Sequence, residues 1–398
     1  SSPPSLGAGA DGGRRRARGV RPMPAPQWVH AFLCSAAVAS AFAFEGWAYN
    51  AVYIAQVLPL VGKQDMALPF ALLFNTFFAL SAWSYVQARF SDPGAVPQRW
   101  QAFVLAAGDK LQVAASRSEW QPGKATYCTN CGVPRPERAH HCRICGVCVL
   151  RMDHHCPWLN NCVGFRNHKF FVLAVAYGLL ACVVGIFTSL PEIAAAFDDV
   201  VHSDASFQPH PTRRRVRMHD SWVLLAFGFA ALLLALVLST MFAAHLELCA
   251  HNATSIEGHY DNMPNPFDQG TCLGNFAQVF GHPGLDWLLP VPPLRPVTDG
   301  ISYERTDQRI LGHDMRPKRY EGMPSEEIWR IRYHVRHTAA PKDLEATGSA
   351  TQSGWFGGSY MGPPLSRQGS SSRPEDMDPL LVRVQPDGRK GRTWVISL

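Results

Sequence analysis

The sequence predicts a mainly α membrane protein: four transmembrane helices, with a cytosolic Cys-rich zinc-binding domain between spans two and three. Two observations carry this. Long uncharged apolar runs recur through the first 250 or so of the 398 residues, whereas the last hundred are polar. Seven of the eleven cysteines crowd into residues 128–162, interleaved with histidines.

A helical span needs about 20 apolar residues to cross about 30 Å of hydrocarbon. Residues 67–88 and 170–191 carry no charge, and 221–246 carry only His245 near the end. These are spans two to four. The first apolar stretch, 28–62, is interrupted by Glu45. Splitting it there would leave two pieces of about 24 Å each, short for a span. One span is therefore expected, tilted or kinked at Glu45-Gly46. A carboxylate inside a span costs about 2.5 kcal/mol or more unless it faces protein or water. The alternative is that Glu45 sits near the interface. The stretch is too long and too late for a cleavable signal peptide. The chain opens Ser-Ser-Pro-Pro without an initiator Met, so its true start is expected upstream.

Orientation follows from Lys and Arg. The N-terminal segment holds Arg14, Arg15, Arg16, Arg18 and Arg21, and the segment between spans two and three is basic. Both termini and the Cys-rich segment are thus expected in the cytosol. Arg213, Arg214, Arg215 and Arg217 disagree, because they fall in a loop this topology puts outside. The net charge of +6 comes largely from the Arg cluster. Beside an apolar segment that cluster reads as a membrane flank, not a nucleic-acid site.

The Cys-rich segment contains Cys128-Thr-Asn-Cys131, then His140-His141-Cys142-Arg-Ile-Cys145-Gly-Val-Cys148, then Asp153-His154-His155-Cys156-Pro157, then Cys162. The C-x-x-C spacing lets two thiolates of one tight turn meet one tetrahedral Zn²⁺. Two closed sites need eight ligands. The seven cysteines with His141 and His155 give nine candidates, so one thiol is spare. The spare should have a base beside it, since the thiolate is the nucleophile. Cys156 fits, with His154 as base and Asp153 as the acid that orients it. A structural zinc module that only recruits partners has no use for such a thiol. A transporter would show broken or polar helices, and only Glu45 hints at that.

Asp153-His154-His155-Cys156 within this frame resembles the DHHC family of protein S-acyltransferases, the palmitoyltransferases. The likeness covers about 28–281. It includes Asp92-Pro93-Gly94, Thr254-Ser255-Ile256-Glu257 (similar to the family's TTxE, with Ser for the second Thr) and Asn265-Pro266-Phe267-Asp268-Gln269-Gly270 with Asn275. The resemblance implies two structural zincs, one on Cys128, Cys131, His141 and Cys148, the other on Cys142, Cys145, His155 and Cys162. It implies that Cys156 attacks a long-chain acyl-CoA thioester, with palmitoyl as the expected chain. His154 would act as base and Asp153 would hold its tautomer. The chain would then pass, in a ping-pong scheme, to membrane-proximal cysteines of client proteins. The expected location is an endomembrane (Golgi or ER) or the plasma membrane.

On this reading the chain divides into a basic segment (1–27), spans one and two (28–90) and the Cys-rich catalytic domain (91–167). Spans three and four with their non-cytosolic loop follow (168–246), then a packing region (247–293) and a largely disordered tail (294–398). Lys124, Arg135, Arg138 and His140 are candidates for the CoA phosphates, or else a solvated basic face. Gly178, Ala181 and Gly185 share one face of span three. They either let helices approach closely or leave room for the acyl chain, in which case Ala181→Tyr would favour shorter chains. Asn252-Ala253-Thr254 is a sequon expected to be unused in the cytosol. Cys34, Cys182 and Cys249 are read as small buried or lipid-facing residues, Cys249 with the option of acylation near the interface. Cys272 is read as structural, and His30 and His245 as needing no role. Residues 325–337 suit a short membrane-surface helix with Ile328, Ile331 and Val335 on one face, or else a weakly ordered segment. Ile396-Ser397-Leu398 has the form of a PDZ ligand.

Overall fold

The computed structural model describes residues 25–201, 216–305 and 323–335. Expectations about the N-terminal Arg cluster, Arg213, Arg214, Arg215, most of the tail (306–322 and 336–398) and the C-terminal tripeptide lie outside them.

Four helical stretches are long and apolar enough to cross a membrane: Val29–Leu60, Gln64–Phe90, His168–Val201 and Met218–Ala250. They fit a multi-pass membrane protein. The first is a single run: α1 (Ala25–Trp47), a π-helical segment (Ala48–Val57) and the short α2 (Leu58–Leu60). The π-segment begins two residues after Glu45-Gly46, where a kink was expected. Such irregular turns mark helices under local strain. Glu45 is buried, so it faces protein. Its Oε1 finds no hydrogen-bond partner among the described residues.

Helix α3 (Ala67–Phe90) and α6 (Met218–Ala250) pack on either side of α5 (His168–Val201). In lipid, association rests on close packing and interhelical hydrogen bonds rather than on expelling water. Both are present. A Cβ on Gly185 would lie 2.9 Å from the Phe227 ring, and one on Gly178 would lie 3.2 Å from Leu238 and Ser81. Ala181 is buried in the same cluster as Tyr49, Phe74 and Phe227. Close helix approach is therefore what these small residues provide, and a tyrosine at 181 would have to displace packed side chains. Asn50 and Asn75 exchange amide hydrogen bonds of 3.1 and 2.7 Å between α1/π and α3. Lys63 pairs with Glu192 at 2.6 Å at the end of the spans away from the Cys-rich domain.

The Cys-rich domain fills the interval between α3 and α5. It starts with α4 (Gln98–Ala107) and continues as short hairpins. β1 (Val113–Ala114), β2 (Ala125–Cys128) and β3 (Val133–Arg135) form one small sheet; β4 (His140–Cys142) pairs with β5 (Val147–Val149), and β6 (His154–Cys156) with β7 (Asn161–Val163). Two-stranded ribbons this short are not stable alone. Metal ligation and docking on the spans must supply the difference.

After α6 come α7 (Cys272–Phe280) and α8 (Ser325–Arg332). Helix α8 corrects the expectation for this region. It docks on the Cys-rich domain, not on a membrane surface. Its buried side chains are Trp329 and Arg332, with Tyr333 and Val335 just beyond, whereas Ile331 is exposed. Trp329 and Tyr333 pack on Trp100 and Phe103 of α4, with ring centroids 5.0–6.4 Å apart. Arg332 donates from Nε to the Glu137 carboxylate at 2.6 Å. Within 294–398, the segment around Trp329 to Val335 is thus packed. The apolar stripe taken from Ile and Val missed the larger aromatic anchors.

Candidate active site and metal centres

The hairpin registers explain which side chains meet. In β4–β5, His141 stands opposite Cys148; in β6–β7, His155 stands opposite Cys162. Directly opposed residues point to the same face. The tight turns carrying the C-x-x-C pairs are closed by backbone amides donating to sulfur, Cys131 N to Cys128 Sγ at 3.4 Å and Cys145 N to Cys142 Sγ at 3.3 Å.

Two clusters result: Cys128, Cys131, His141 and Cys148, and Cys142, Cys145, His155 and Cys162. Within each, all four ligand atoms lie within 4.8 Å of one another. Zn–S bonds of about 2.3 Å in a tetrahedron put sulfurs about 3.7–3.8 Å apart. The Cys131–Cys148 and Cys145–Cys162 separations are 3.7 and 3.6 Å. The nearest His Nδ1 approaches are 3.2 Å in the first cluster and 3.4 Å in the second. Both clusters could hold a metal ion.

Cys156 belongs to neither. Side chains alternate faces along a strand. With His155 turned to the second cluster, His154 and Cys156 share the opposite face of β6. Asp153 Oδ2 accepts from His154 Nδ1 at 2.6 Å. Its carboxylate also accepts Ser255 N at 2.8 Å, while the Ser255 hydroxyl donates to the Asp153 main-chain carbonyl at 2.7 Å, with Oδ2 at 3.2 Å. Burial alone would raise Asp153, but the His154 hydrogen bond and nearby imidazoles hold it well below the usual carboxylate range. Burial alone would lower His154, but the bond to Asp153 and the Cys156 sulfur push it up to about 9. The arrangement makes an imidazole eager for the thiol proton. Phe171 edges against the His154 ring at 5.4 Å. Cys156 itself is buried in an apolar cluster with Ala88, Phe170, Phe171 and Leu173, where α3 meets α5.

The ends of the spans fix this loop in place. The last carbonyls of a helix lack partners within it. Asn161 Nδ2 donates to the carbonyls of Ala88, Arg89 and Ser91 at 2.9–3.1 Å, and Asn167 Nδ2 to Ala88 O at 3.0 Å. Asp92 accepts the Gly94 and Ala95 amides at 3.0 and 2.9 Å and pairs with Arg166 at 3.1 Å. Gly94, at φ +110°, lets its carbonyl accept from Leu150 N at 2.7 Å. At the other side, Asn275 Nδ2 takes the Ala250 carbonyl at the end of α6 at 2.6 Å.

The structure corrects the basic cluster. Arg138 is buried and grips Glu257 with two bonds of 2.7 Å while donating to Asn252 O at 2.7 Å. It also stacks over Phe267 and Tyr303. With its Nη1 on Asn252 Oδ1 at 3.2 Å as well, four of its five N–H donors are engaged inside the protein. His140 is pushed down to about 4 by burial and by Arg135, so it is neutral. Arg135 is buried with Nη2 on Ser116 Oγ at 2.9 Å. Lys124 alone is exposed, on the rim of an open groove with Arg117. The pattern R-x-x-R-x-H looked like a charged face because nothing in it reveals Glu257, more than a hundred residues away. Arg138→Met would leave the Glu257 carboxylate buried and unpaired. The expected cost is about 3–5 kcal/mol, a drop of about 10 °C in melting temperature. Adding Glu257→Leu should recover much of it. Thermal melts of the three variants check this.

His245 was read as needing no role. Its ring lies 5.7 Å from that of His154 and 4.7 Å from that of Phe171. The only signal was a histidine in an otherwise uncharged span. Asp153, His154 and His245 also bring ligand atoms within 4.8 Å. The Asp153 carboxylate is engaged by His154 and the Ser255 amide, and the buried Nδ1 of His245 has no hydrogen-bond partner among the described residues. The sequon residue Asn252 is fully buried, its amide given to Phe267 O at 2.7 Å. Cys249 is fully buried too, which removes the option of its acylation.

The DHHC palmitoyltransferase family profile matches residues 121–261, which span both metal clusters, Asp153, His154, Cys156 and Glu257. The chain is 34% identical to "Probable protein S-acyltransferase 12" of Arabidopsis thaliana over 62% of its own length and 83% of that protein's. It belongs to the DHHC palmitoyltransferase family. It is also similar to "Palmitoyltransferase ZDHHC20" of Homo sapiens, 32% identical over 67% of this chain and 75% of the relative. With "Palmitoyltransferase ZDHHC15" of Xenopus laevis the identity is 30%, over 65% and 78%.

Proposed function

We propose that this DHHC-family chain is a protein S-acyltransferase in which Cys156 carries the acyl group between acyl-CoA and client cysteines. The observation that supports this most is the Asp153–His154 bond on the same strand face as the one zinc-domain cysteine outside both metal clusters. The two clusters suit structural Zn²⁺: each offers four ligands and no open position. The second set brackets Cys156 with His155 and Cys162, so the ion stiffens the loop that carries the nucleophile.

In the first half-reaction His154 takes the Cys156 proton as sulfur attacks the thioester carbonyl. The C–S bond to CoA breaks, and the CoA thiolate leaves with the proton from His154. Asp153 keeps the proton on Nδ1, so Nε2 is the working nitrogen. In the second half a client thiol repeats the attack. One thioester is broken and one formed in each half, so little driving force is needed. A long chain gains about 0.8 kcal/mol per CH₂ held away from water. The position of Cys156 against the faces of α3 and α5 favours long acyl groups, palmitoyl among them. Clients with cysteines near the bilayer are the matching acceptors. On this reading both termini and the zinc domain lie in the cytosol, where acyl-CoA is made available, on an endomembrane or the plasma membrane; the basic N-terminal segment supports it.

The test is initial-rate kinetics of the full chain in lipid nanodiscs with palmitoyl-CoA and a peptide bearing a juxtamembrane cysteine. Parallel double-reciprocal lines are expected for a covalent intermediate. Intersecting lines would mean direct transfer and remove Cys156 as carrier.

A further inference from the structure

Residues 285–294 read Leu-Asp-Trp-Leu-Leu-Pro-Val-Pro-Pro-Leu. Apart from a single 3-10 turn at Leu285–Leu288, this segment is irregular, yet it displays its leucines outward. Leu285 is 86% exposed, Leu294 75% and Leu288 62%. In water such a row would be costly.

The backbone and the one charge behave in the opposite way. Asp286 is buried, accepting from Leu294 N at 3.1 Å and standing 3.8 Å from the Lys169 ammonium. Lys169 Nζ donates to the carbonyls of Asp286 and Val291 at 2.5 and 2.9 Å. Tyr177 Oη donates to Leu288 O at 2.6 Å, and Gln87 Nε2 to Pro290 O at 3.4 Å. Leu289 O accepts from Val291 N at 2.8 Å. Three prolines contribute no N–H at all. Polar groups turned in and apolar groups turned out is what irregular backbone needs at membrane depth.

The position agrees. Tyr177 lies seven residues past Phe170, where the uncharged run of α5 begins, about 10 Å along the axis. Helical side chains reach back toward the N-terminus, so the Tyr177 hydroxyl holds Leu288 level with the first turns of that run. Trp287 packs on Phe280, centroids 5.4 Å apart, and both are continuous with the cluster around Cys156.

We infer that 285–294 is a loop set into the bilayer leaflet on the zinc-domain side, its leucines among the lipid acyl chains about 5–10 Å deep. It rests on the membrane reading of the four helices. Its partner is lipid, and it tethers the α7 region beside Cys156 to the leaflet.

The test places p-benzoylphenylalanine in the full chain, one site at a time, at Leu285, Leu288, Phe229 and Tyr127. Each protein is irradiated in phosphatidylcholine nanodiscs and the adducts are read by mass spectrometry. Phe229 is an outward residue of α6, 71% exposed, and Tyr127 an outward residue of β2, 42% exposed. Lipid adducts several-fold above the Tyr127 level are expected at Leu285, Leu288 and Phe229. If Phe229 takes lipid while Leu285 and Leu288 stay at the Tyr127 level, the loop lies in water and the inference fails. Crosslinks to a second copy of the chain at Leu285 and Leu288 would overturn it in favour of a protein interface. No lipid at Phe229 would instead overturn the membrane reading itself.

Discussion

Asp153→Asn is expected to slow formation of the acyl-enzyme by about 10²–10⁴-fold with little loss of zinc. The carboxylate does two things that an amide cannot do together. It accepts the His154 Nδ1 proton at 2.6 Å, and its other oxygen accepts the Ser255 amide at 2.8 Å. An asparagine that turns its NH₂ toward His154 selects the wrong tautomer. One that turns its oxygen there offers the NH₂ to a backbone N–H, donor against donor. Either way the imidazole loses the negative partner that raises it, and the thiol proton is held more firmly. Single-turnover labelling with palmitoyl-CoA measures the rate. Zinc content separates a slow site from a collapsed one, because Asp153 is no metal ligand.

Cys162→Ala should act by a different route and at least as strongly. Cys162 lies opposite His155 in β6–β7 and 3.6 Å from both Cys145 Sγ and His155 Nδ1. Apparent binding of structural zinc is worth about 10–16 kcal/mol, as large as the whole stability of a typical domain. Losing a ligand should release one of about two ions per chain and free the segment that carries Cys156. Zinc per chain, acyl labelling and melting temperature should fall together. In Asp153→Asn only labelling should fall.

Much of this was legible because the decisive signals are local. Three uncharged runs and a fourth broken only by Glu45 announce four spans. The nine ligand candidates, with one spare beside a histidine, announce two clusters and a nucleophile. Strand alternation then sorts the two adjacent histidines, one toward metal and one toward sulfur. What the sequence could not show depends on distant partners. Arg138 looks like an anion site until Glu257 folds against it. His245 looks idle until α6 ends beside β6. Helix α8 presents an aliphatic stripe fit for a membrane, but Trp100 and Phe103 of α4 offer its aromatic residues a better place. The inward turn of Asp286 is likewise invisible, because Lys169 lies more than a hundred residues earlier.

The most direct measurement is labelling with a clickable palmitoyl-CoA analogue, wild type beside Cys156→Ser, with zinc counted in both. The account predicts a hydroxylamine-labile adduct on wild type, none on the variant, and about two zincs in each. Equal labelling would put the acyl group on another residue. Loss of zinc in Cys156→Ser would make Cys156 a ligand, and either result would contradict its role as the carrier.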